Sequence, residues 1–223
     1  MRYKIVFESG RGVNLPIHYN HIIRGFVYSI LGKEAQDFTF SNLFGRKKVL
    51  KNKKRIIFKG RCHFYLSGFS LPDLSEFKGK SFRLGANEVK LIEVEPQSFD
   101  LKEGRLKLKT LSPITVFQLL ESGKTRYFTP EELPFYEKVV EDLKGKVERL
   151  YGFSPEVSFS AHPDSVFKKA VVQYRNRFVI EAWKGIFTLE GDREALETAL
   201  NLGLGFRNDQ GFGMVATAGS SVS

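Results

Sequence analysis

Cysteine is nearly absent from this chain, with one residue, Cys62, in 223. A single thiol excludes an intramolecular disulfide framework and a Cys-rich zinc site. Histidine is scarce too: four residues are spread along the chain, and none falls at a zinc-finger or HExxH spacing. The sequence therefore predicts no metal and no other cofactor. Long apolar runs are missing; none approaches the ~20 residues of a membrane span. The N-terminus alternates instead of presenting a signal-peptide core. The expectation is a soluble, cytoplasmic protein with no membrane partner.

What is present is charge and aromatic bulk. Lys and Arg number 35 against 25 Asp and Glu, a formal net charge of +10. Hydrophobic residues make up 42%, including 21 Phe and 8 Tyr, which excludes disorder and supplies a core. The length suits one large domain or two small ones. The surplus charge is local: residues 46–61 hold nine basic residues and no acidic one, leaving the other 207 at about +1. This stretch fits either a lysine-protected hairpin edge or a phosphate-binding arm whose affinity falls with salt. A polyanion is the partner that the charge points to first.

Patterning sets the organisation. Tyr3, Ile5 and Phe7 share one face of a strand over 3–8, and Asn14 and Pro16 mark a loop. Residues 19–31 read as a helix with an apolar stripe, closed by Gly32. Its other face carries His21, Arg24, Gly25 and Tyr28 at i, i+3, i+4 and i+7. Strands are predicted over 38–44, 55–69 and 81–94, with one helical turn over 72–77. The second half repeats the order. It has a hairpin around Glu103-Gly104, a strand through 110–116, and a helix from Pro130, capped by Thr129, to about Tyr151. Strands follow over 156–162, 166–174 and 177–190, the last two joined by a turn at Arg175-Asn176, then a short helix over 192–201 and a strand over 211–217. Trp183 reads as core. Two successive β-α-β-β-α-β patterns predict an α+β fold of two tandem ferredoxin-like halves, residues 1–95 and 96–223.

The densest local motif is Leu202-Gly-Leu-Gly-Phe-Arg-Asn-Asp-Gln-Gly-Phe-Gly-Met214. Gly203, Gly205, Gly211 and Gly213 permit positive φ and close backbone approach, either to a ligand or within a tight turn. Arg207 stands at the apex. The loop follows a helix and enters a strand, the reverse of a dinucleotide fingerprint. This loop, the tandem plan, the segment Thr110-Leu-Ser-Pro-Ile-Thr-Val116, and Tyr19-Asn20-His21 with Gly25 and Tyr28 resemble a known group. They are similar to the repeat-associated RNA-binding superfamily of CRISPR systems, and within it to the sixth Cas family, which processes precursor CRISPR RNA.

The resemblance implies binding of CRISPR repeat RNA and one metal-independent cut per repeat. In that reaction the 2′-hydroxyl attacks, a 2′,3′-cyclic phosphate remains, and the protein moves protons and stabilises the phosphorane. It also implies a site built from a Tyr of the first helix, a His just beyond it, and a Lys. Tyr28 matches the tyrosine. No His lies between Tyr28 and Phe38, so three alternatives stand: a relative that binds without cutting, a lysine such as Lys33 or Lys51, or His21 from the Tyr28 face. The candidate RNA-binding set is Arg24, Arg46, Lys47, Lys48, Lys53, Lys54, Arg55, Lys168, Gly203, Gly205, Arg207, Gly211 and Gly213. A structural backbone subunit of a CRISPR effector complex is the rival outside the enzyme class. Other Cas proteins and a second copy of the chain are the further partners considered.

Overall fold

Period-two alternation carries the N-terminal half. In the computed structural model, which describes residues 1–99, 101, 104–174 and 178–219, β1 (Arg2–Glu8) turns Tyr3, Ile5 and Phe7 into a core. There follow β2 (Val13–Pro16), α1 (Asn20–Leu31), β3 (Phe38–Phe40), β4 (Phe44–Leu50), the long β5 (Arg55–Gly68), β6 (Ser81–Leu84) and β7 (Asn87–Gln97). All pairings are antiparallel. β1 lies between β5 and β7, and β3 flanks β5 on its other side. The order β7-β1-β5-β3 is that of a ferredoxin-like unit, its second helix reduced to a 3₁₀ turn at Ser75–Phe77. α1 lays Ile23, Phe26, Val27 and Ile30 on this sheet. Each such side chain contributes about 1.5–3 kcal/mol by leaving water. Gly32, at φ 90°, ends the helix with its N–H donating to the Tyr28 carbonyl at 3.0 Å.

The C-terminal half comprises β8 (Arg105–Thr110), β9 (Phe117–Leu119), β10 (Thr125–Tyr127), α2 (Leu133–Tyr151), β11 (Val157–Ala161), β12 (Lys168–Tyr174), β13 (Phe178–Lys184), β14 (Ile186–Gly191), α3 (Arg193–Leu202) and β15 (Val215–Thr217). The sheet order β11-β14-β8-β15 is again ferredoxin-like. The hairpins β9–β10 and β12–β13 are insertions outside that sheet. α2 buries Phe135, Val139, Leu143 and Val147, four residues spaced by four, against Phe159, Phe187 and Leu189. No described helix is long and apolar enough to cross a membrane.

Several sequence-derived boundaries move. Residues 13–16 form a strand on β5, not a loop. The stretch 81–94 is a hairpin turning at Gly85 and Ala86, and its second strand reaches Gln97. The strand expected through Val116 stops at Thr110, before Pro113, whose lack of an N–H cannot continue a ladder. Only single bridges, Ile114 to Trp183 and Thr115 to Phe206, persist beyond it. α2 starts at Leu133, not Pro130, because Thr129 and Glu132 close a local turn: the Thr129 N–H donates to Glu132 Oε2 at 2.8 Å. The single strand expected over 177–190 breaks at Gly185, packed against the Phe167 ring. The last strand starts at Val215 because residues 211–214 close the glycine-rich loop. Trp183 is half-buried at the core's edge, with Lys169 Nζ 5.8 Å from its ring. Glu103 and the turn residues Arg175 and Asn176 lie outside the described residues; the strands flanking the turn do pair, Tyr174 opposite Phe178.

The halves meet along a polar seam. Arg2, only 4% exposed, donates to the carbonyls of Leu200 and Val215 at 2.7 Å each, and its guanidinium lies 4.7 Å from the Phe99 ring centroid. Burial pushes its pKa down to about 9. Tyr65, Leu111, Met214 and Ala216 form a small apolar cluster across the same seam. Arg149 of α2 makes a bidentate pair with Asp37 before β3, both contacts at 2.7 Å.

Candidate functional site

The glycine-rich loop folds around one amide. Asn208 Nδ2 donates to the carbonyls of Leu204 (3.3 Å) and Phe212 (3.1 Å), which draws the two ends of the loop together. Gly211 and Gly213 have φ of 83° and 74°. A Cβ on Gly211 would overlap the Phe40 ring, and one on Gly213 would overlap the Leu204 carbonyl oxygen. Gly203 and Gly205 are buried as well. The missing side chains are thus accounted for by contacts inside the protein, and the loop shows its outer side through Arg207 and the 3₁₀ turn Asn208–Gln210.

α1 is docked on that turn. Asn20 Nδ2 donates to the carbonyls of Gln210 and Gly211, both at 3.2 Å. One turn further on, Arg24 pairs with Asp209 of the loop and donates to Tyr28 Oη at 3.0 Å. Burial works against the guanidinium, but Asp209, Tyr174 and Tyr28 outweigh it and hold the Arg24 pKa above its ordinary value. The Tyr28 ring stands edge-on to Phe38, with centroids 5.6 Å apart. Arg24, Tyr28, Phe38 and Asp209 line a cleft of about 400 Å³ between the halves, together with Asp37, Lys146 and Asn208. Because the phenolic oxygen accepts from Arg24, its own proton is left to offer to another acceptor. The cleft therefore presents a hydroxyl donor beside a fixed cation.

Lys146 closes the cleft from the α2 side. Its Nζ donates to Asn208 Oδ1 (2.7 Å) and to the carbonyls of Gly203 (3.1 Å) and Gly205 (3.3 Å), and it pairs with Asp142 at 2.6 Å. Burial raises the Asp142 pKa despite the opposing pull of Lys146.

The other expected residues fall elsewhere. His21 lies edge-on to Tyr174 at 6.1 Å, and its seven-residue separation from Tyr28 is about 10.5 Å along the helix. Lys33 is exposed in the turn after Gly32. Lys51, Lys53 and Lys54 form the exposed tip of the β4–β5 hairpin. The Lys54 carbonyl accepts from the Ile17 N–H at 3.0 Å, so the tip sits by the start of α1, away from Tyr28. Arg46, Lys47 and Lys48 are exposed on β4, and among the described residues none of the six pairs with an acidic group. Arg55 is spent within the fold, donating to the Asn14 side chain (2.9 Å) and carbonyl (3.0 Å). Arg207 is held between the rings of Phe117 and Phe178, at 4.7 and 5.2 Å. Lys168 stands opposite Lys184 across β12–β13. Burial, then Lys47 and Lys168, lower the Lys184 pKa, so lysines of both halves converge there. Among the described residues no three His, Cys, Asp or Glu come together as a metal site.

Comparison with known proteins gives the family and the fold. Residues 93–217 match the family model described as CRISPR associated protein Cas6, C-terminal. The chain is 26% identical over 241 residues to the CRISPR-associated endoribonuclease Cas6 1 of Methanocaldococcus jannaschii, covering 96% of this chain and 92% of that protein. It is 24% identical over 242 residues to the CRISPR-associated endoribonuclease Cas6 of Pyrococcus furiosus, covering 97% and 88%. A solved structure of a Cas6-related protein from Pyrococcus furiosus superposes with a TM-score of 0.83 at 17% identity, covering 99% of both chains, a likeness of fold.

Proposed function

The chain belongs to the Cas6 family of CRISPR-associated proteins, and we propose that it binds the repeat of a precursor CRISPR RNA and cuts it once without a metal. The neighbouring 2′-hydroxyl gives its proton to solvent and attacks the scissile phosphorus, the P–O5′ bond breaks with a proton passing to the departing 5′-oxygen, and a 2′,3′-cyclic phosphate remains. The observation that carries this reading is the Asp209–Arg24–Tyr28 chain at the cleft. Tyr28 donates its proton to the departing 5′-oxygen and is reprotonated from solvent, while Arg24 stabilises the growing charge. The domains 1–95 and 96–223 contribute one wall of the cleft each. His21, two turns along α1, reaches a flanking nucleotide and not the atom that Tyr28 serves. The glycines act by holding the loop's shape, and Arg207, Lys47 and Lys168 contact the RNA. The protein works in the cytoplasm.

A second reading, binding without cleavage, draws on two observations: the residues lining the cleft include no histidine, and Lys146 is already engaged by four acceptors. Labelled repeat RNA incubated with the purified chain in EDTA separates the two. A cyclic-phosphate product with no other protein present supports the first and makes other Cas proteins unnecessary for the cut. Tight retention without a product supports the second, which a backbone-subunit role shares. Neither retention nor product sinks both.

The hairpin tip gives a separate expectation. Lys51, Lys53 and Lys54 are exposed, so changing all three to Ala should leave the melting temperature unaltered. Each phosphate contact to a single strand contributes about 0.7 to the slope of log affinity against log salt, so the slope should flatten by about 2. A binding isotherm series over salt measures this, and an unchanged slope makes the tip a solvated turn.

A further inference from the structure

The Asp142–Lys146 pair is buried deeper than a surface pair of helix neighbours, with side chains 18% and 14% exposed. An i,i+4 pair contributes little by itself, and an ammonium withdrawn from water is costly unless acceptors surround it. Here the other three acceptors all come from the glycine-rich loop: the carbonyls of Gly203 and Gly205, and Asn208 Oδ1. Asn208 in turn draws the loop's two ends together through Leu204 and Phe212. The residue after it, Asp209, holds Arg24, and Arg24 holds the Tyr28 hydroxyl. A continuous polar chain therefore runs from α2 in one half, through the loop, to α1 in the other.

We infer that Lys146 is a positioning residue, fixing the Asn208–Gln210 turn so that Asp209 keeps Arg24 and the Tyr28 hydroxyl aimed into the cleft. This rests on the reading of the cleft as the cleavage site. Removing the ammonium leaves three part-buried oxygens of the loop without this donor, and the turn shifts to find water or other partners. The shift reaches the Tyr28 hydroxyl through Asp209 and Arg24, so the loss should vanish once Tyr28 has no hydroxyl to aim.

The test is a double-mutant cycle in the full chain. Lys146→Met, which keeps the aliphatic stem, should lower the single-turnover cleavage rate at saturating protein about tenfold, with RNA affinity changed less than about twofold. In a Tyr28→Phe background the same substitution should change the rate by less than about twofold. An equal tenfold fall in that background overturns the inference, as does weakened affinity at an unchanged saturated rate, which would make Lys146 an RNA contact. If Lys146→Met does not fold, Asp209→Asn breaks the chain one link later and must show the same dependence on Tyr28; additivity there counts against the inference equally. Should the wild-type chain bind repeat RNA without cutting it, the cleavage reading fails and a readout without RNA decides. The fluorine resonance of 3-fluorotyrosine placed at position 28 should shift or broaden in Lys146→Met or Asp209→Asn. An unmoved resonance overturns the inference.

Discussion

Gly213→Val should destabilise the fold more than any other single change considered. The backbone at 213 has φ 74°, a region costing a β-branched residue about 1–3 kcal/mol. The new Cβ would overlap the Leu204 carbonyl oxygen and stand 2.5 Å from Asn208 Nδ2. Neither neighbour can yield freely: the Leu204 N–H donates to the Gly213 carbonyl at 2.9 Å, and the Gly213 N–H to the Pro113 carbonyl at 2.9 Å. Overpacking of this kind adds about 1–3 kcal/mol and the broken hydrogen bonds add more, so a loss of roughly 3–6 kcal/mol is expected from a total of about 5–15. At about 2–4 °C per kcal/mol for a chain of this size, the melting temperature should fall by about 6–24 °C. Calorimetry or a thermal shift assay measures it. A variant melting within a few degrees of the parent would show that the loop has room the packing denies.

Tyr28→Phe should have the largest effect on chemistry with the smallest on structure. The ring keeps its edge-on contact with Phe38, and only the hydroxyl that accepts from Arg24 is lost. Removing a positioned proton donor costs about 10²–10⁴ in rate, and that fall should appear in single-turnover cleavage at saturating protein. Arg24→Lys should fall by a similar factor, since an ammonium is a point charge without the fork that spans Asp209 and Tyr28 together. An unchanged saturated rate with weaker binding would reduce Tyr28 to a contact residue.

Much of this could be read from residue order. Alternation in 3–8 and the helical stripe of 19–31 are local signals, and the repeated β-α-β-β-α-β succession points to two ferredoxin-like halves. The shared face of His21, Arg24 and Tyr28 needed only helical spacing, and the loop announced itself by its glycines. The brace behind it did not. Lys146 is one of several charged residues on α2, and nothing within the helix distinguishes the one that points into a loop some sixty residues away. Lys184 acquires meaning only opposite Lys168, across a pairing that spacing alone does not give. Residue order does not give the start of α2, because Pro130 and Pro134 both suit a first turn and the tie between Thr129 and Glu132 decides between them. Asp209 was in plain view within the loop, but its value comes from Arg24, which lies in the other half.

Arg2 has a consequence for mechanics. Its guanidinium leaves the central strand of one sheet and hydrogen-bonds to carbonyls at the end of α3 and in β15 of the other half. Sliding or hinging the halves would strand a buried cation and two buried acceptors together, so rigid-body opening is penalised at its first step. The two halves should therefore melt as one cooperative unit. The gap between them has the stiffness of a mould, and any strand that enters it supplies the bending.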